Sequence, residues 1–522
     1  MNFDFKFLKN YKGKSAAAPA IFCAAVLIAG VLSGILIFKK SNVKSKKQNG
    51  TYKMVLDLTD NVLTGELDYS ENAELSEQKD YFVFCLQPNF LFEGDLSGLS
   101  EQKNAENPDN HEKENGKNYK NEKNDETVEN VAHEKLPLKV LSAGGEKFSY
   151  LNGGNYVKVK TETKNGVKSA SISFKVDIPS GKNRLSVTKS GINLANFYPY
   201  KCTYDFASHD FVTFDKVYFG DPFFNEFADY FVELKVPSEY TVAGAAAVSC
   251  EVGGEKTTYK YNLKNYTCTA FCLSKNFEVI CKKWGNRSIN CYFVKGDGQN
   301  AAEKESANFY EKTVKLAISA LEFFSKNYGD YPRESYSIAF VPFFCGGMEY
   351  PALSLVSCDE NVENSTKAVV HETAHQWFPL TAANNEYCEG YFDEGLAEFM
   401  TYKYFLSVNG DFAAKMLTSA SKTVKNYTHN VCKDMKMNKR LCDFSSDYEY
   451  YATVYARGLI LFYECDKLSG EKNFAAKIKS FYGSNKFSNV TANTFANMLK
   501  TKTKKAFFSI VESNALLCLP NK

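Results

Sequence analysis

Ser365-Thr-Lys-Ala-Val-Val-His371-Glu372-Thr-Ala-His375-Gln-Trp-Phe378 is the stretch on which the reading of this chain turns. Ser365 is a candidate N-cap, and a helix starting there puts His371 and His375 one turn apart on one side. Two imidazoles at that spacing hold one Zn²⁺ at about 2.0–2.1 Å. Glu372, beside the first of them, reaches the metal's water as a general base. A catalytic zinc needs a third protein ligand and one open position. Glu394, in Gly390-Tyr-Phe-Asp-Glu394-Gly-Leu-Ala-Glu398-Phe, is the candidate, with eighteen residues between it and His375. That interval ends one helix, turns, and begins another whose side chain returns to the metal. The competing reading is a solvent-facing helix with two ordinary histidines. It is weakened because two of only six histidines fall in this one motif.

Outward from the motif, the hydrophobic period divides the chain. Beyond Ser365 the pattern is mostly helical. Before it, Tyr310, Val314, Ala317, Ile318, Leu321 and Phe324 follow helical spacing, and Tyr336, Ile338 and Phe340 alternate as in a strand. Upstream of about residue 285 the pattern is β-type. Tyr81–Cys85 is an apolar run, and Ile172, Phe174, Val176 and Ile178 alternate with polar residues. So do Tyr230, Val232, Leu234 and Val236, with Pro237 as the stop. Residues 100–135 are dense in Lys, Glu, Asn and Asp and bury too little apolar surface to offset their ordering entropy, so they read as a disordered charged insertion. His111 and His133 fall in it, and His209 and His429 have no ligand spacing.

Residues 15–38 are an uncharged run, about 34 Å long from Ala16 to Phe38 if helical, which is enough to cross a bilayer. The run is longer than a signal peptide's apolar region and ends in Lys39-Lys40, which favours an uncleaved anchor. The expected organisation is a cytoplasmic tail (1–14), a transmembrane anchor (15–38), a linker (39–50), a β domain (51–285) and a catalytic domain (286–522). Lysine counts on the two flanks nearly tie, and a long domain exports regardless, so the catalytic domain is expected on the extracellular side.

Composition narrows the function classes. The 522 residues carry 44% hydrophobic and 24% charged residues, enough for two or three packed domains. Net charge is +2, and only five of the basic residues are Arg, so the electrostatic footprint of a nucleic-acid partner is missing. The 15 cysteines form no C-x-x-C pair, which speaks against a zinc ribbon, and most read as free buried thiols.

With these residues in view, the sequence resembles the gluzincin aminopeptidases, the family of aminopeptidase N and leukotriene hydrolase. His371, Glu372, His375 and Glu394 match its zinc motif. Gly346-Gly347-Met348-Glu349-Tyr350 matches its G-x-M-E-N motif, twenty-two residues before the first zinc histidine. Tyr455-Ala-Arg457-Gly458 matches the segment of its catalytic Tyr. Asn196-Phe-Tyr-Pro-Tyr, Tyr230–Gly244, Thr269–Ile280 and residues from about 480 to Pro520 extend the likeness to roughly 51–520. The resemblance implies an all-β saddle-shaped domain followed by a thermolysin-like α+β zinc peptidase domain with one Zn²⁺ per chain. It implies peptide substrates with a free N-terminus. Glu349 would bind the α-amine, Gly346 and Gly347 would pair with substrate as an added strand, and Met348 completes that subsite. Tyr455 would donate to the oxyanion. Glu398 would orient a zinc-bound histidine or face solvent, and Arg457 would support substrate or pair with a carboxylate.

Three departures stand out. Tyr350 replaces the usual Asn, Pro379 stands where Gly often follows the zinc helix, and the chain stops where the family's catalytic domain ends, without its C-terminal helical domain. The last implies an open cleft or cover from another subunit. The expected function is a membrane-anchored zinc aminopeptidase. A zinc endopeptidase and an inactive binding protein on the same scaffold are the alternatives.

Overall fold

The computed structural model describes residues 50–76, 79–90, 136–144, 148–214, 220–306, 308–431 and 435–512. The expected anchor at 15–38 and the charged insertion at 100–135 lie outside them. Among the described residues no helix is long and apolar enough to cross a membrane.

The first half is β-rich, as the period-two pattern predicts. Its largest sheet has eight strands, and along its main path Gly50–Thr59 sits between Val62–Asn72, antiparallel, and Ala228–Pro237, parallel. Alternate side chains turn inward: Tyr52, Met54, Leu56 and Leu58 from one strand meet Tyr230, Val232, Leu234 and Val236 from the next. Tyr52 and Tyr230 stack with centroids 4.6 Å apart. Two four-stranded sheets, one of them built from Leu185–Thr188, Gly191–Leu194, Thr241–Ala243 and Phe271–Ser274, and a two-stranded one, Tyr204–Asp205 with Asp210–Phe211, also belong to this half.

The second half opens with a five-stranded sheet ordered Phe277–Trp284, Arg287–Val294, Ser335–Val341, Leu353–Ser357, Gly347–Tyr350. The expected boundary at 285/286 therefore moves: Phe277–Trp284 pairs with Arg287–Val294 and belongs to this sheet. Phe277–Trp284 is half-exposed along its length and carries no sequence signal that separates it from the β strands before it. Arg287–Val294 and Ser335–Val341 are parallel, and the Phe309–Tyr328 helix makes the crossover that parallel strands require.

Tyr336, Ile338 and Phe340 suggested a strand with one buried face, yet every residue of Ser335–Val341 is buried. Tyr336, Ile338 and Phe340 face the helices. Ala339 and Val341 pack instead with Ala195, Ala243, Ala270 and Cys272 of the β-rich half. The polar positions find partners there too: Ser337 Oγ donates to the Gly244 carbonyl at 2.7 Å, and Ser335 Oγ accepts from Ala246 N at 3.0 Å. The catalytic sheet is thus clamped between helices and the β half. That fixes its edge strand, Gly347–Tyr350, against both.

Candidate active site

The Val362–Ala374 helix carries the two motif histidines. It starts one turn before the expected cap. Asn361, in extended conformation, accepts from Asn364 N at 2.8 Å, while Ser365 is buried inside the helix. Asn caps as well as Ser does, and a cap of this kind contributes about 1 kcal/mol. Glu394 lies on the Glu386–Val408 helix, past a break at Glu389.

The three ligand atoms converge. His371 Nε2 and His375 Nε2 are 3.0 Å apart, and Glu394 Oε2 lies 3.1 and 3.2 Å from them. The edge of a tetrahedron around zinc at about 2.0 Å is about 3.3 Å, so the triangle has the size one ion needs. His375 Nδ1 is 2.9 Å from the Phe378 carbonyl, which can only accept, so that nitrogen carries the proton and Nε2 turns its lone pair to the centre. His371 Nδ1 lies 3.3 Å from Glu398 Oε1, which Lys367 Nζ holds at 2.7 Å. Burial opposes charge on His371, but Glu394 and Glu398 outweigh it and raise its pKa to about 9. The centre favours positive charge. Two imidazoles and a carboxylate around one centre, with the Phe378 carbonyl on His375 Nδ1 and the Glu398 carboxylate 3.3 Å from His371 Nδ1, fit a zinc ion.

Of the other expected residues, Glu372, Glu349 and Tyr455 stand around this triangle, and Met348 and Arg457 do not. Glu372 is buried, its Oε2 has no hydrogen-bond partner, and burial pushes its carboxyl up to about 7. A Cβ at Gly347 would overlap Glu372 Oε1, so glycine lets the edge strand approach the base. Glu349 is buried on that strand. Glu349, His375 and Asp393 each offer an atom within 4.8 Å of the others. Burial pushes the Glu349 carboxyl well above its ordinary range. The Gly346 carbonyl accepts from Ser357 N at 3.0 Å. Met348 turns away into the apolar layer shared with the β half. Tyr350 joins that layer, and its hydroxyl donates to Asn196 Oδ1 at 3.1 Å, tying the motif to the β half.

Tyr455 OH donates to Glu394 Oε1 at 2.5 Å. It rides a π-helical turn, Tyr451–Ala456, of a kind that collects at functional sites. Close helix packing brings it there: a Cβ on Gly395 would fall 2.7 Å from Gly458 Cα. Burial, then Glu394, raise the Tyr455 phenol well above its ordinary range, so it stays a donor. Arg457 is buried and donates to the carbonyls of Met435 and Ile510 at 2.9 and 2.8 Å. It braces the helices beneath Tyr455.

Sequence reasoning missed several groups. Lys367 was findable, one turn before His371. The part-buried Arg184–Asp221 ion pair comes from the β half, and Asp221 adds a small upward push to the one that burial gives Glu349, Glu372 and Tyr455. Glu386, also buried, has no motif spacing.

Comparison with known proteins gives three results. Residues 312–513 match the peptidase family M1 domain. Aminopeptidase 2 of Candida albicans is 30% identical over 106 residues, which is 18% of this chain and 11% of that protein. The chain therefore spans about a ninth of that relative. The crystal structure of an M1 zinc metallopeptidase from Deinococcus radiodurans superposes with a TM-score of 0.58 at 14% identity, over 91% of this chain and 96% of that one. A mutant of the same protein, bound to a Tyr-Ser-Ala substrate, has the same score, identity and coverage. At such identity these two show a shared fold.

Proposed function

We propose that the chain is a zinc aminopeptidase of the gluzincin family that removes residues from peptide N-termini, a reading supported by the match of residues 312–513 to the peptidase family M1 domain. The observation that carries this is the convergence of His371, His375 and Glu394 within 3.2 Å, with the Glu372 and Glu349 carboxylates beside it. His371, His375 and Glu394 would hold the zinc. When bound, the ion supplies Lewis acidity to a carbonyl and a water.

The chain's own groups do the rest. Glu349 pairs with the substrate α-ammonium and sets the register, so that cleavage falls at the first peptide bond. Glu372 takes the proton of the attacking water and passes it to the leaving amine. Tyr455 donates to the oxyanion as its charge develops, a contact that strengthens toward the transition state. Gly347 keeps the edge strand close enough for substrate to pair with it. Glu398 and Lys367 orient His371. The uncharged run at 15–38 anchors the protein in a membrane with the catalytic domain outside, which protease treatment of intact cells tests.

A panel of aminoacyl reporter amides with and without chelator, together with one peptide in free and N-acetylated form, tests the assignment. Chelator-sensitive cleavage of the free peptide only is the expected result. Equal cleavage of both forms makes the protein an endopeptidase, and zinc binding without cleavage makes it a binding protein.

A further inference from the structure

Behind Glu349 lies a small cavity between the helical half and the β half. It offers about 20 Å³ for the centres of water-sized groups, room for one or two such occupants at about 10–15 Å³ each. Asn225 comes from the β half, Asn384 and Glu386 from the segment after the zinc helix, and Phe223 and Leu380 supply carbon walls. None of the twelve lining residues is Lys, Arg or His.

Three oxygens of the residues that line it have no hydrogen-bond partner: Glu386 Oε2, Asn384 Oδ1 and Asn225 Oδ1, the last on a residue that also borders the cavity of Lys201. Glu386 is 6% exposed and Asn384 2%. The Asn384 amide nitrogen donates to Asp393 Oδ1 at 2.9 Å and the Glu389 carbonyl at 3.3 Å, which turns its oxygen the other way. Burial, then Asp393, push the Glu386 carboxyl well above its ordinary range, and a cation on its unpartnered oxygen favours the ionised form. The nearby Arg184 turns one terminal nitrogen to Asp221 and does not line the cavity.

We propose that this cavity binds one monovalent alkali cation, Na⁺ or K⁺, on the oxygens of Glu386, Asn384 and Asn225. The donor set is all oxygen, which selects hard cations over transition metals. One unit of charge balances Glu386, whereas Glu349 on the same cavity stays available for the substrate ammonium. The cation then lies beside the amine anchor and weakens its pull on substrate, so KM rises with occupancy.

The test is the thermal midpoint of the zinc-loaded protein in NaCl, KCl and choline chloride at equal ionic strength. NaCl or KCl should raise it by about 2–4 °C over choline. Glu386→Gln should abolish that difference while retaining one zinc per chain. Crystals soaked in Rb⁺ should show an anomalous peak within bonding reach of Glu386 Oε2. Equal midpoints in all three salts overturn the proposal, as does stabilisation by millimolar Ca²⁺ alone. The thermal readout needs no turnover, so a salt response in a protein without peptidase activity sustains the cation site and rejects the peptidase reading.

Discussion

The two walls of the cleft are built differently. On the metal wall, His371, His375, Glu394, Glu398 and Tyr455 sit on helices, and their polar atoms meet one another or converge on one centre. On the amine wall, Asp221 comes from the β half, 128 residues before Glu349 and 165 before Glu386, which both belong to the catalytic half. Helical spacing makes the first wall a local device. The second exists only because two folding units close on each other. Chemistry that tolerates little displacement sits on the local device, and recognition sits on the assembled one.

Substitutions can break or sharpen that contrast. Glu372→Gln should keep one zinc per chain and lower kcat by about 10³–10⁴, as steady-state rates and metal analysis will register; a wild-type rate removes Glu372 as base. Tyr455→Phe should cost about 10²–10³ in kcat with KM little changed, since its contact strengthens only as charge develops. Glu349→Gln acts on the other wall. It should lower kcat/KM for free-amine peptides by about 10–100-fold, the worth of a charged hydrogen bond, and narrow the gap to acetylated peptide. Asn361→Ala should lower stability by about 1 kcal/mol, read as a thermal shift of about 1–2 °C, and leave zinc content unaltered.

What could be read from sequence follows the same division. His371, His375 and Glu372 were legible because helical spacing is local and specific, and Glu394 because its interval allows a second helix to return to the metal, whereas Tyr455 and Glu349 were legible only through the family resemblance. The long strands Val167–Asp177 and Ala228–Pro237 were legible because one face of each is polar, and Tyr81–Cys85 because it is a short unbroken apolar run. The seam between halves was not, since Phe277–Trp284 and Phe271–Ser274 share one apolar idiom yet join different sheets. The burial of Ser335–Val341 on both faces was hidden by serines that find partners across the seam. The helix start moved to Asn361 because two good caps lie four residues apart. Glu386 and the Arg184–Asp221 pair carried no pattern at all, as tertiary closure alone brings them to the cleft.

The most direct test is anomalous scattering at the zinc edge from crystals of the purified protein. One peak within about 2.0–2.2 Å of His371 Nε2, His375 Nε2 and a Glu394 oxygen is predicted. A zinc-saturated crystal whose peak lies on other residues, with the two imidazoles turned apart, would contradict the account.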